Sequence, residues 1–130
     1  MKTLHLNIKR KWFDMIKSCE KLEEYRELKD YWFNRFKNDN CRAYFRSMLS
    51  VFYTTYKNNS EDETSFNIFK ESFELMEIEF DTITFSNGYA KDRDQFIVKF
   101  EGIEIKEGKA EWGAEPGKKY FVLKLGKTIT

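Results

Sequence analysis

The last third of this 130-residue chain is written in period two, and that pattern limits its fold more than anything else in the sequence. Phe96, Val98 and Phe100 alternate with other residues, and Ile103 and Ile105 resume the alternation after Gly102. Tyr120, Val122 and Lys124 alternate with Phe121, Leu123 and Leu125. In an extended chain successive side chains point to opposite faces, so this spacing predicts strands. Gly102 marks a bulge or bend between two runs. An earlier strand carrying Phe80, Ile83 and Phe85 ends at Asn87-Gly88, a tight-turn dipeptide. Gly113, Pro116 and Gly117 mark a loop, and Gly126 is expected to end the last strand. Strands joined by short turns pair antiparallel, because a parallel pair needs a long crossover.

The remainder alternates between the two periods. Leu4, Leu6 and Ile8 read as a half-buried strand. From Arg10 to Cys19, Trp12, Phe13, Met15, Ile16 and Cys19 fall on one face of a short helix. Lys21 to Leu28 returns to extended spacing, with Leu22, Glu24 and Arg26 on one face and Glu23, Tyr25 and Glu27 on the other. Asp30 to Lys37 predicts one or two helical turns. Cys41 to Tyr56 predicts a helix lined by Phe45, Met48 or Leu49, Phe52 and Tyr56. After a polar break at 58–62, Ser60 and Glu63 fit a capping box for a helix burying Phe66, Phe69, Phe73 and Met76. This order predicts an α+β protein, with a small mixed, largely antiparallel sheet curled into a barrel and surrounded by helices. A single domain over 1–130 is expected, since its length and a hydrophobic content of 41% support one core.

Composition excludes several functions. With 23 basic and 22 acidic residues the chain has no overall attraction for polyanions, so a nucleic-acid site has to be a local patch. Cys19 and Cys41 form no metal or redox motif, and His5 is the sole histidine, so no metal site is expected. Without a Gly-rich phosphate loop, no cofactor is expected. No stretch reaches the roughly 20 apolar residues of a membrane span, and the first ten residues do not read as a signal peptide. The expectation is a cytoplasmic protein with reduced thiols and no membrane partner.

One run carries chemistry. Cys19, Lys21, Glu24 and Arg26, following a strand and a short helix, stand where G-x-K-x-x-E-x-R stands in the ASCH (ASC-1 homology) family, part of the PUA-like superfamily, and the chain resembles it. The family's glycine is replaced by Cys19, and a non-glycine residue resists positive φ. The segments 80–89 and 120–126 resemble the later strands of that barrel. The likeness covers about 1–37 and 78–130, and the aromatic stretch of about 38–77 reads as a helical insertion. The resemblance implies a β-barrel with a cleft beside the motif and an RNA-related role. Some small bacterial members act as hydrolases on acylated nucleosides or on RNA, with the motif lysine catalytic. Where those members have threonine three residues after that lysine, this chain has Glu24.

The leading expectation is therefore an RNA- or nucleotide-binding module whose cleft contains Lys21, Glu24 and Arg26. Arg26 offers planar, bidentate donors to a phosphate, and Lys21 adds a mobile point charge. Lys9 extends the basic surface beside Arg10, Lys11 and Lys17. Asn87, Tyr89 and Arg93, with Lys91, form a polar loop suited to the opposite wall of a cleft. Tyr25, Tyr89 and Trp112 are the candidates for base stacking. Two alternatives compete with binding. One is a hydrolase, an amidohydrolase or ribonuclease, with Lys21 and Glu24 catalytic, which requires burial to lower the lysine's pKa. The other is a protein-interaction domain using the aromatic helices of 38–77.

Overall fold

The structure is a computed structural model that describes residues 2–38 and 41–129. In chain order the elements are β1 (Thr3–Asn7), α1 (Arg10–Lys17), β2 (Glu23–Glu27), α2 (Asp30–Phe36), α3 (Ala43–Asn58), α4 (Glu63–Glu74), β3 (Thr82–Asn87), β4 (Asp94–Glu107) and β5 (Lys119–Thr128). A 3-10 turn, Ala110–Trp112, lies between β4 and β5. The chain divides into two compact units. One contains Met1–Leu28 and Phe80–Thr130, and the other is Lys29–Glu79. The helical stretch expected at 38–77 lies within the second, with Asp39 and Asn40 outside the described residues.

The first unit is a five-stranded mixed sheet in the order β1-β3-β4-β5-β2 that curls into a half-barrel. Only β1 and β3 run parallel, because α1 and the helical segment separate them in sequence, and the other three pairings are antiparallel. The curl comes from β4. Its pairing with β5 shifts register between Val98 and Phe100 and again before Gly102, where the sequence predicted a bulge. Leu4, Leu6, Ile83, Phe85, Phe96, Val98, Phe121 and Leu123 are all buried. Phe13 of α1 meets Phe96 edge-on at 4.8 Å and is 1% exposed. A side chain so buried contributes about 1.5–3 kcal/mol, which pins a helix too short to hold itself together.

One strand boundary differs from expectation. β5 continues through Gly126 to Thr128, because Thr128 pairs with Val98 of β4. A cross-strand partner there outweighs the local preference of glycine for ending a strand.

The second unit is built on rings. Phe33 stacks on Tyr53 at 4.1 Å, Tyr56 stacks on Phe69 at 5.5 Å, and Phe69 and Phe73 are fully buried. α4 buries Phe66, Phe69 and Phe73, with Met76 just beyond it, as its spacing predicts. On α3 the buried pair is Leu49 and Tyr53, so the core face is rotated from the predicted line. Tyr53 reaches this position because its hydroxyl donates to Asp30 at 2.8 Å, giving its polar end a partner. The cap of α4 is Asp62 rather than Ser60. Its carboxylate accepts from the Thr64 amide and the Ser65 hydroxyl, and Glu63 is already helical. An ionised acceptor beside the helix start outcompetes a hydroxyl two residues earlier.

Candidate functional site

α1 leads directly into the motif. The Glu20 amide donates to the Met15 carbonyl at 2.9 Å and the Cys19 amide donates to the Ile16 carbonyl at 3.0 Å. These are the two crossing bonds of a Schellman C-cap, which requires a left-handed residue between helix and strand. That residue is Cys19, at φ 67°, the only non-glycine positive φ among the described residues. This turn, which glycine makes most easily, is made here with a β-carbon in place. It reverses the chain so that Lys21 points back into the unit.

Lys21 is 1% exposed and each of its three ammonium hydrogens has an acceptor available. Nζ donates to the Glu23 carbonyl at 2.7 Å and the Trp112 carbonyl at 2.8 Å, and pairs with Glu24 Oε1 at 3.1 Å. The ammonium also lies 4.7 Å from the centre of the Tyr25 ring and 5.3 Å from that of Trp12. Burial pushes its pKa below the ordinary lysine value, with Glu24 pulling the other way. The expected mobile charge is instead a fixed one, closed to solvent.

Glu24, also buried, joins the two cations. Its second oxygen meets Arg26 Nη1 at 2.9 Å, and that guanidinium side chain is 15% exposed. Glu24 and Arg26 share a face, as their spacing predicted. Glu23 and Tyr25 share the other, and there the Tyr25 hydroxyl donates to Glu23 Oε1 at 2.8 Å and accepts from the Lys109 amide at 2.9 Å. Tyr25 packs with Tyr120, Val122 and Ala114, with Trp112 against the cluster. Gly108 is needed at this point because a β-carbon there would lie 2.6 Å from the Tyr25 ring.

The other expected site residues gather elsewhere. The Asn7 side chain donates to the Gly88 carbonyl at 2.8 Å and accepts from the Gly88 amide at 3.2 Å, and Asn87 donates to the Ile8 carbonyl at 3.0 Å. These bonds fasten the β3–β4 hairpin to the end of β1. Tyr89 at its tip is 90% exposed, and Lys9, Lys91 and Arg93 are exposed near it in sequence or pairing. Asn87 itself is consumed in holding the hairpin. α1 touches both groups: Arg10 pairs with Asp94 at 2.6 Å at the hairpin, and Trp12 lies against Gly113 beside Trp112. His5 is exposed on β1, at the sheet edge opposite β2.

Trp12 was not among the expected site residues, because helical spacing assigns it to the apolar face of α1. It is half-buried, with the Lys11 ammonium 4.7 Å above its ring, and Trp112 likewise carries Lys109 at 4.4 Å. A lysine adjacent to a tryptophan at 11–12 is the one sequence signal that could have marked it.

No cluster of metal-binding side chains occurs among the described residues, and no helix there is long and apolar enough to cross a membrane. An open groove on the helical unit, lined by Ser50, Val51, Thr54, Thr55, Asn58 and Asn59, includes no residue of the motif. No protein-family model, curated protein or solved structure matches the chain.

Proposed function

We propose that this is an ASCH-type, PUA-like module that binds single-stranded RNA or a nucleotide, on a surface centred on Trp12 and Trp112. The observation that carries the reading is the pair of half-exposed indoles, each with a lysine ammonium over its face, at 4.7 Å for Lys11 and 4.4 Å for Lys109. A ring that holds a cation can hold a nucleobase, and the displaced lysine is then free to meet the phosphate. Lys21 lies beneath this surface, 5.3 Å from the centre of the Trp12 ring and bonded to the Trp112 carbonyl, and Glu24 links it to Arg26. Arg26 is the member of the three with most access to a ligand. The exposed Tyr89, Lys91 and Arg93 at the hairpin offer a third ring and further cations.

The hydrolase reading has one observation in its favour, the lowering of the Lys21 pKa by burial. Against it stands an ammonium whose hydrogens already have three acceptors inside the protein. Binding is the better-supported function.

The test is fluorescence anisotropy of a short labelled RNA pool over a salt series, with RNA length checked afterwards. Lys11→Ala and Lys109→Ala are each expected to lower the salt slope by about 1. Trp112→Ala keeps its backbone carbonyl for Lys21 and is expected to weaken binding by about 1–3 kcal/mol. Absence of binding at low salt, or variants that bind like the wild type, overturns the reading. Shortened RNA transfers it to a ribonuclease.

A further inference from the structure

β2 is an edge strand, paired with β5 and with no other described strand. The Leu125 amide donates to the Leu22 carbonyl at 3.0 Å. Hydrogen-bonded and non-bonded pairs alternate along an antiparallel ladder, so Leu22, Glu24 and Arg26 turn their amides toward Leu125, Leu123 and Phe121. Glu23 and Tyr25 therefore turn theirs to the open side. A row of such groups is a template for an added strand.

Three of the four open-side groups of Glu23 and Tyr25 are occupied. The Glu23 carbonyl accepts from Lys21 Nζ at 2.7 Å, the Tyr25 amide donates to Glu24 Oε1 at 3.2 Å, and the Tyr25 carbonyl accepts from Arg26 Nη1 at 2.9 Å. The three motif residues supply two donors and one acceptor, in the positions a neighbouring strand would use. Glu24 bridges both cations and offsets part of their charge. Lys21 further ties this edge to the β4–β5 connection through the Trp112 carbonyl.

We infer that Lys21, Glu24 and Arg26 form an edge guard, which takes the place of a sixth strand and keeps β2 from pairing with β2 of a second copy of the chain. The spacing follows from the task. Glu24 and Arg26 flank Tyr25 in sequence and reach its amide and carbonyl, and Lys21 reaches Glu23 from the turn. A buried carboxylate holding two cations leaves the incoming chain no unoccupied partner at Tyr25 and no unoccupied carbonyl at Glu23.

Amide hydrogen exchange tests this by NMR on the full chain and on Glu24→Ala, alongside mass measured over a concentration series. In the wild type the Tyr25 amide, though on the open side of an edge strand, is expected to be protected. In Glu24→Ala it is expected to exchange about tenfold faster, while the Arg26 amide on the β5 side keeps its rate. The variant is also expected to show a mass that rises toward a dimer with concentration. A wild-type Tyr25 amide that exchanges like an open loop overturns the inference, and this needs no variant to fold. Equal acceleration at Tyr25 and Arg26, or a variant that stays monomeric at every concentration, overturns it as well. None of these readouts involves RNA, so they stand or fall apart from the proposed binding.

Discussion

Replacing Cys19 by glycine is expected to stabilise the protein. Cys19 holds φ 67° because the Schellman cap of α1 requires it. A left-handed conformation costs a residue with a β-carbon about 1–2 kcal/mol, and glycine escapes most of that cost while losing some chain entropy on folding. The net gain is about 1 kcal/mol. The thiol is exposed, so no burial is lost with it. For a chain of this length the gain corresponds to a rise of about 3–5 °C in Tm. Cys19→Ala is the control, since it removes the sulfur and keeps the β-carbon, and it is expected to stay within about 0.5 kcal/mol of the wild type. Urea unfolding of the three proteins reads the difference as a shift in midpoint at constant slope. If Cys19→Gly is no more stable than Cys19→Ala, the strain assigned to this turn is absent and the reasoning fails.

Two further outcomes follow from other contacts in the fold. Lys21→Ala leaves the Glu23 and Trp112 carbonyls without their lysine donor and removes one of the two cations paired with the buried Glu24, and is expected to cost about 3–5 kcal/mol in urea unfolding. An RNA-binding loss in that variant therefore has to be read beside its stability, whereas Lys109→Ala changes an exposed side chain. The Asp30 carboxyl is held below its ordinary pKa, first by Lys57 and then by Tyr53. The unfolded chain binds the proton more readily, so this pair stabilises above about pH 4 and its contribution fades as the pH falls below that value. The urea midpoint of the Asp30→Asn variant is expected to fall less between pH 7 and pH 3 than that of the wild type, and an equal fall refutes the assignment.

Much of the local architecture was legible in the sequence. Period two placed Glu24 with Arg26 and Tyr25 with Glu23 on opposite faces of β2, and the hydrogen bonds respect that division. The i, i+3, i+7 spacing of Phe66, Phe69 and Phe73 gave the buried side of α4. Gly102 announced the register shift in β4. Each of these depends on residues a few positions apart, where backbone geometry alone fixes which side chains share a face. The cap of α4 was misplaced by two residues, because Ser60 and Asp62 are both acceptable caps locally. The choice falls to whichever has donors already in reach, here Thr64 and Ser65.

The sequence by itself determined that strands and helices alternate in this order, that the sheet is largely antiparallel, and that Lys21, Glu24 and Arg26 stand at the mouth of β2. Only the tertiary structure decided what those three residues do there. Lys21 is capped by the carbonyl of Trp112, 91 residues away, and the Tyr25 hydroxyl by the amide of Lys109, 84 residues away. No periodicity encodes such partners, since they arise when β4 bends and carries its far loop back to the strand beside α1. That β2 lies at an edge is likewise a property of the whole sheet, set by which strands pair with β5. A charged triplet that reads in sequence as a site for ligands becomes, once its strand has an open side, the set of hydrogen bonds that closes it.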